Sequence, residues 1–90
     1  MELLTVGITK NKEVCGGSPR IDGTRIRVMD VVEKYEFLGY SPEKIAEAFG
    51  ISISQVFGAL YYYHENPNEI KQEIKNHKEF VENLRAGNAK

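Results

Sequence analysis

Between residues 41 and 55 the chain is punctuated so closely that two short helices and the turn between them are nearly dictated. Ser41-Pro42-Glu43-Lys44 reads as an N-cap, a proline at the first helical position and an acid in the first turn. Gly50 stops that helix by tolerating left-handed backbone. Ser52 then caps the next one with Gln55 as its capping-box partner, and Ile51 is placed to pack on Val56 as a hydrophobic staple. Helical spacing turns Ile45, Ala48 and Phe49 inward before Gly50, and Val56, Ala59, Leu60 and Tyr63 after it. Ile45, Ala46, Phe49, Gly50, Ile51, Val56 and Ala59 together have the spacing of a helix-turn-helix. In that motif Ala46 is small because the second helix crosses close by, and Gly50 supplies the turn angle.

The flanking segments differ in character. Before Met29, short β-like stretches are broken by glycine. Leu4, Val6 and Ile8 alternate with Thr5 and Gly7, Gly16-Gly17-Ser18-Pro19 interrupts, and Asp22-Gly23 offers a two-residue hairpin turn. Beyond that turn Thr24, Ile26 and Val28 would share one face, and Arg25 and Arg27 the other. A first helix is expected from about Val31 to Leu38, capped by Asp30 with Glu33 three residues on, and ended by Gly39. Its buried stripe would be Val28, Val31, Val32, Tyr35 and Leu38. Asn66-Pro67-Asn68-Glu69 starts a fourth helix. Its seam residues Ile70, Ile74, His77, Val81 and Leu84 repeat at four and three, a heptad pattern. Two heptads are too few for an independent coiled coil, so this helix lies against its own domain or along a partner's groove.

The expected fold is therefore mainly α: a short N-terminal β-hairpin followed by a four-helix region containing a helix-turn-helix, homeodomain-like or winged-helix-like. One domain would span residues 1–90, with a β segment at 1–28, a three-helix unit at 29–65 and an amphipathic helix at 67–86. Size agrees, since surface scaling for 10.2 kDa leaves about 64% of the unfolded surface buried, enough for one modest core. No apolar run approaches the length of a membrane span, and the N-terminus lacks a basic signal start. Cys15 has no disulfide partner, which makes the cytoplasm the expected compartment.

Charge limits what the central motif does. The net charge is −1 and the pI about 6.1, which argues against nucleic-acid binding by bulk charge. From Ser52 to His64 there is no Lys or Arg, although a recognition helix contacts phosphates with such residues. The candidate nucleic-acid contacts are Arg25, Arg27, Ser54 and Gln55, of which Gln55 has the chemistry to read adenine. Helix three is either such a reader or a packing unit. Phe57 and Tyr61 lie one turn apart around Gly58, with Tyr62 and His64 beside them. Aromatics so placed either form a protein interface or cover the core with their hydroxyls in water. With the seam of the last helix, the candidate partner-binding residues are Phe57, Tyr61, Tyr62, Ile74, Val81 and Leu84.

Nothing in the chain assembles a catalytic constellation, so no enzyme activity, cofactor, metal or small-molecule substrate is expected. Cys15 is a lone thiol, best read as buried or incidental. His64 and His77 are thirteen residues apart without a Cys pair for zinc, and His77 is expected to pack or hydrogen-bond on its seam. Glu65, Glu69 and Glu73 at four-residue spacing are better explained as a solvated helix edge than as acid–base groups. Gly16-Gly17 lacks the Lys-Ser/Thr of a phosphate loop.

The segment Val14-Cys15-Gly16-Gly17-Ser18-Pro19-Arg20-Ile21-Asp22-Gly23-Thr24-Arg25-Ile26-Arg27-Val28 resembles the family known as domain of unknown function 433. The hallmark Gly-x-Pro-x-Ile-x-Gly-Thr-Arg-Ile-x-Val is met from Gly17 to Val28. Gly39 to Glu43, Gln55-Val56 and the Tyr pair before an Asn-rich turn extend the resemblance over about residues 8–75. It implies a small bacterial or archaeal protein similar to antitoxins, encoded beside a PIN-like ribonuclease toxin that it binds, with operator DNA as the alternative partner. A homodimer is the expected state, and a homo-oligomeric scaffold the remaining reading. Within the Gly-Thr-Arg-Ile core, Gly23 completes the turn and Ile26 anchors the strand. Arg25 presents a five-donor fork to a carboxylate of the fold or of a dimer mate, to phosphate, or to a toxin's acidic site.

Overall fold

A computed structural model describes the backbone of residues 2–5 and 7–88 and the side chains of residues 7–87. Val6 and the side chain of Leu4, both assigned to the first strand's alternation, lie outside the described residues. Three short strands form an antiparallel sheet in sequence order: β1 (Glu2–Thr5), β2 (Ile8–Lys10) and β3 (Arg20–Ile21). Leu3 faces Thr9 across the first pair and Ile8 faces Ile21 across the second. The Asp22-Gly23 turn is wider than the expected two residues. Ile21 N–H bonds the Ile26 carbonyl at 2.9 Å, so four residues make the loop. The Thr24 hydroxyl holds that loop, donating to the Ile21 carbonyl (2.8 Å) and accepting from Ile26 N–H (3.1 Å). Thr24 therefore turns into the loop and does not share a strand face with Ile26 and Val28.

Val28 opens the first helix, three residues earlier than expected. Helix α1 (Val28–Val32) continues into a wide π turn over Glu33–Phe37. Asp30 sits inside the first turn, where its carboxylate accepts Arg27 N–H at 2.9 Å; it is not the N-cap residue. Val28, Val31 and Val32 are buried as expected, whereas Tyr35 and Leu38 are exposed. The cause is the wide turn. Hydrogen bonding at i→i+5 adds a residue to the turn, so positions that a 3.6 period would turn inward rotate out to solvent.

Helices α2 (Pro42–Phe49) and α3 (Ile53–Glu65) follow the sequence punctuation closely. Ser41 Oγ accepts Lys44 N–H (3.1 Å), Gly50 is left-handed at φ 68°, and the Ser52–Gln55 capping box closes reciprocally at 3.1 and 2.8 Å. Ile45 and Ala46 are buried, while Ala48, expected to face inward, is exposed. Helix α4 runs from Pro67 to Asn88. One core joins every layer: Ile8 and Ile21 of the sheet, the valines of α1, Ile45, Val56, Ala59 and Leu60, and Ile70 and Ile74 of α4. Beyond Ile74, residues 75–87 of α4 are exposed apart from the half-buried Val81. At 1.5 Å per residue its 22 residues span about 33 Å. That length dominates a molecule whose extents are 44 × 30 × 23 Å.

Candidate partner-binding surfaces

The outer face of α3 carries an apolar ridge. Phe57 and Tyr61 are 52% and 55% exposed, and Ile53, one turn earlier, extends the line. Repetition at i and i+4 puts all three on one stripe while Val56, Ala59, Leu60 and Tyr63 fill the core side. Hydrogen bonding to the Glu65 carboxylate, and its negative charge, push the Tyr61 phenol up from its ordinary value.

Tyr62 belongs elsewhere. It is 5% exposed, and its hydroxyl donates to Glu69 Oε1 at 2.6 Å. One residue is 100° around a helix, enough to carry Tyr62 from the ridge into the α3–α4 junction. The same junction overturns the reading of Glu69 and Glu73 as a solvated edge. Glu69 also pairs with Lys10 at 2.8 Å, and Ser18 Oγ donates to Glu73 Oε2 at 2.8 Å. Glu73 Oε1 is buried without a hydrogen-bond partner. Burial pushes the Glu73 carboxyl up from its ordinary value, with Glu69 adding to the rise and Ser18 and Lys10 opposing it. These contacts tie the sheet and the Cys15–Gly17 turn to the near half of α4. Sequence reasoning missed this anchor, and only Ser18's place beside the glycines hinted at a fixed loop.

The other partner candidates separate too. Ile74 is 7% exposed and packs in the core, which consumes it as a free contact, though its edge lines a groove. Val81 is half-buried and Leu84 half-exposed on the far half of α4. His77 is exposed, not packed, because the core ends one turn before it. The six candidates therefore do not make one surface: Phe57 and Tyr61 face one way, and Val81 and Leu84 belong to the projecting helix.

The nucleic-acid candidates are mostly committed inside the fold. Gln55 spends its Oε1 on the Ser52 N–H in the capping box. The Arg27 guanidinium bonds Asp30 at 3.1 and 3.0 Å, which raises its proton affinity further and fixes it against α1. Arg25 is exposed, and no carboxylate among the described residues pairs with it, so the salt bridge expected of Arg25 within the fold belongs to Arg27. Ser54 is exposed. Cys15 is half-buried, its Sγ 3.5 Å from the Arg25 carbonyl. Among the described residues no group of three or more His, Cys, Asp or Glu side chains is arranged to hold a metal, and no helix is long and apolar enough to cross a membrane.

Comparison with known proteins gives a consistent picture. The model of a family described as proteins of unknown function, DUF433, matches residues 8–63. A crystal structure of a DUF433 member protein from Anabaena variabilis superposes with a TM-score of 0.70 at 33% identity, covering 80% of this chain and 71% of that one. No curated protein matches the chain. The family match stops within α3, so α4 lies outside it.

Proposed function

From the premise that the chain belongs to the DUF433 family, we propose that it is an antitoxin-like binding protein that captures and blocks a PIN-like ribonuclease. The exposed ridge of Ile53, Phe57 and Tyr61 carries this reading. Large rigid aromatics surrounded by polar surface bury much area on binding at small entropic cost, which suits them to anchor a protein interface. In a helix-turn-helix reading of α2 and α3, this same ridge occupies the face that would enter a DNA groove. It offers apolar rings there and no cation, while Gln55 and Arg27 already have partners. Operator binding would fall to Arg25 and Ser54, aided by a second copy of the chain.

Co-expression with the product of the neighbouring gene tests the proposal. The expected result is one co-eluting species in size-exclusion chromatography with suppressed RNA cleavage. Phe57→Ala with Tyr61→Ala should weaken that complex by about tenfold or more. Two separate peaks at micromolar concentration, with cleavage undiminished, would refute it.

A further inference from the structure

A groove runs between the wide turn after α1 and the helix α4. Two hollows of about 460 and 410 Å³ share Phe37, Ile74 and Lys78 in their walls and so form one trough. Phe37, Ile74 and Val81 supply its apolar floor, and Phe37 is 67% exposed. Its α4 rim carries Lys71, Lys78 and Arg85, each one heptad apart and each directly after a seam residue, with Glu82 the one acid among the described residues lining that side. Fourteen residues of helix make that rim about 21 Å long, close to four turns. No carboxylate among the described residues lies within ion-pair distance of these three cations. The opposite wall, from the wide turn, presents Glu33 and Glu36.

We propose that this groove receives an amphipathic helix of a different protein, its apolar stripe on Phe37, Ile74 and Val81 and its carboxylates against Lys71, Lys78 and Arg85. The inference rests on the reading of the chain as a protein-binding module, and adds the surface and the chemistry of what it holds. A concave apolar floor suits a protruding side-chain ridge, which neither a flat bilayer nor a phosphate backbone provides. A second copy of the chain fits poorly. A two-fold antiparallel pairing of α4 would set Lys71, Lys78 and Arg85 against the same cationic flank of its mate, like charge facing like. A parallel pairing would offer Lys78 only Glu73, whose carboxylate is already held by Ser18. A mainly cationic α4 wall facing the acidic Glu33 and Glu36 also fixes which flank of the incoming helix lies where, which is how charge sets register and partner choice.

A fluorescein-labelled helical peptide of about 16 residues, with leucines on one stripe and glutamates on one flank, is titrated with the full chain at low salt. Its counterpart carries lysines in place of the glutamates. The Glu-flanked peptide is expected to bind about tenfold more tightly, the combined gain of three rim pairs. That preference should vanish in K71E/K78E/R85E, and Phe37→Ala should weaken both peptides, circular dichroism confirming that each variant is folded. Equal binding of the two peptides, a preference that survives the triple reversal, or no binding at roughly 100 μM would overturn the proposal. So would a dimer in sedimentation that Phe37→Ala dissociates, or retention of phosphatidylserine vesicles or duplex DNA by the groove residues. The peptide preference without a ribonuclease complex removes the antitoxin reading and leaves the groove; the complex without the preference does the reverse.

Discussion

Glu73 holds one carboxylate oxygen on the Ser18 hydroxyl and buries the other without a partner. A buried ionised acid is costly unless both oxygens are satisfied, and burial is the chief cause of its raised proton affinity. A carboxyl whose folded pKa lies above its unfolded value binds more protons folded than unfolded. Its stabilising contribution is complete below the unfolded pKa and is lost as pH rises through the folded one. Glu73→Gln keeps the shape and an acceptor for Ser18 without the charge. It should raise the melting temperature at pH 7 and flatten the stability profile across that window in thermal melts between acid and neutral pH; a lower melting temperature at pH 7 would show that the ionised acid is needed. This residue was illegible in the sequence for a physical reason. Carboxylates at i and i+4 on a charged helix face water by default, and Glu69 and Glu73 depart from that only because Lys10 and Ser18, more than fifty residues away, lie against them. Gln55 is the converse case. Its capping role followed from local spacing alone, and that same role consumes the oxygen a DNA reader would need.

Among the elements, those whose boundaries are set by neighbouring residues were legible and those set by helical register were not. Ser41, Gly50, Ser52 and Gln55 bound α2 and α3 as expected, because a cap or a left-handed stop is a contact within four residues. Ser52→Ala should therefore cost about 1 kcal/mol. Gly50→Ala should cost about 1–2 kcal/mol from backbone strain alone, since a Cβ at that position would meet nothing within 4 Å. Urea denaturation measures both, and an unshifted midpoint for either would contradict the cap geometry. The wide turn over Glu33–Phe37 has no comparable local signature. Nothing in Glu-Lys-Tyr-Glu-Phe announces an i→i+5 register, yet that register turns Tyr35 outward and leaves Phe37 over the groove. The packing at its exit is partly electrostatic: Lys34 and Lys44 place their ammonium groups 5.5 and 4.3 Å from the centre of the Tyr40 ring.

At the scale of the molecule, α4 is two halves with different duties. Ile70 is fully buried and joins the common core, whereas Leu84 is 51% exposed beyond it. Ile70→Ala is expected to cost about 2–5 kcal/mol as a core truncation. Leu84→Ala should stay within about 0.5 kcal/mol, as a surface change does. Chemical denaturation of the two variants distinguishes the halves, and equal losses would mean that the far half is part of the fold. The heptad seam made the helix and its apolar face legible but not the place where core ends and free surface begins, because that depends on how far the rest of the molecule reaches along it. A helix held at one end and unsupported at the other has a local stability that falls along its length, since an isolated helix is marginal in water and most helical stability comes from tertiary contacts. Its far turns open more often than its near ones. Whatever binds beside Val81 and Arg85 must therefore also stiffen them, so part of the binding energy goes into ordering, and occupancy of the groove extends the cooperative unit outward from Ile74.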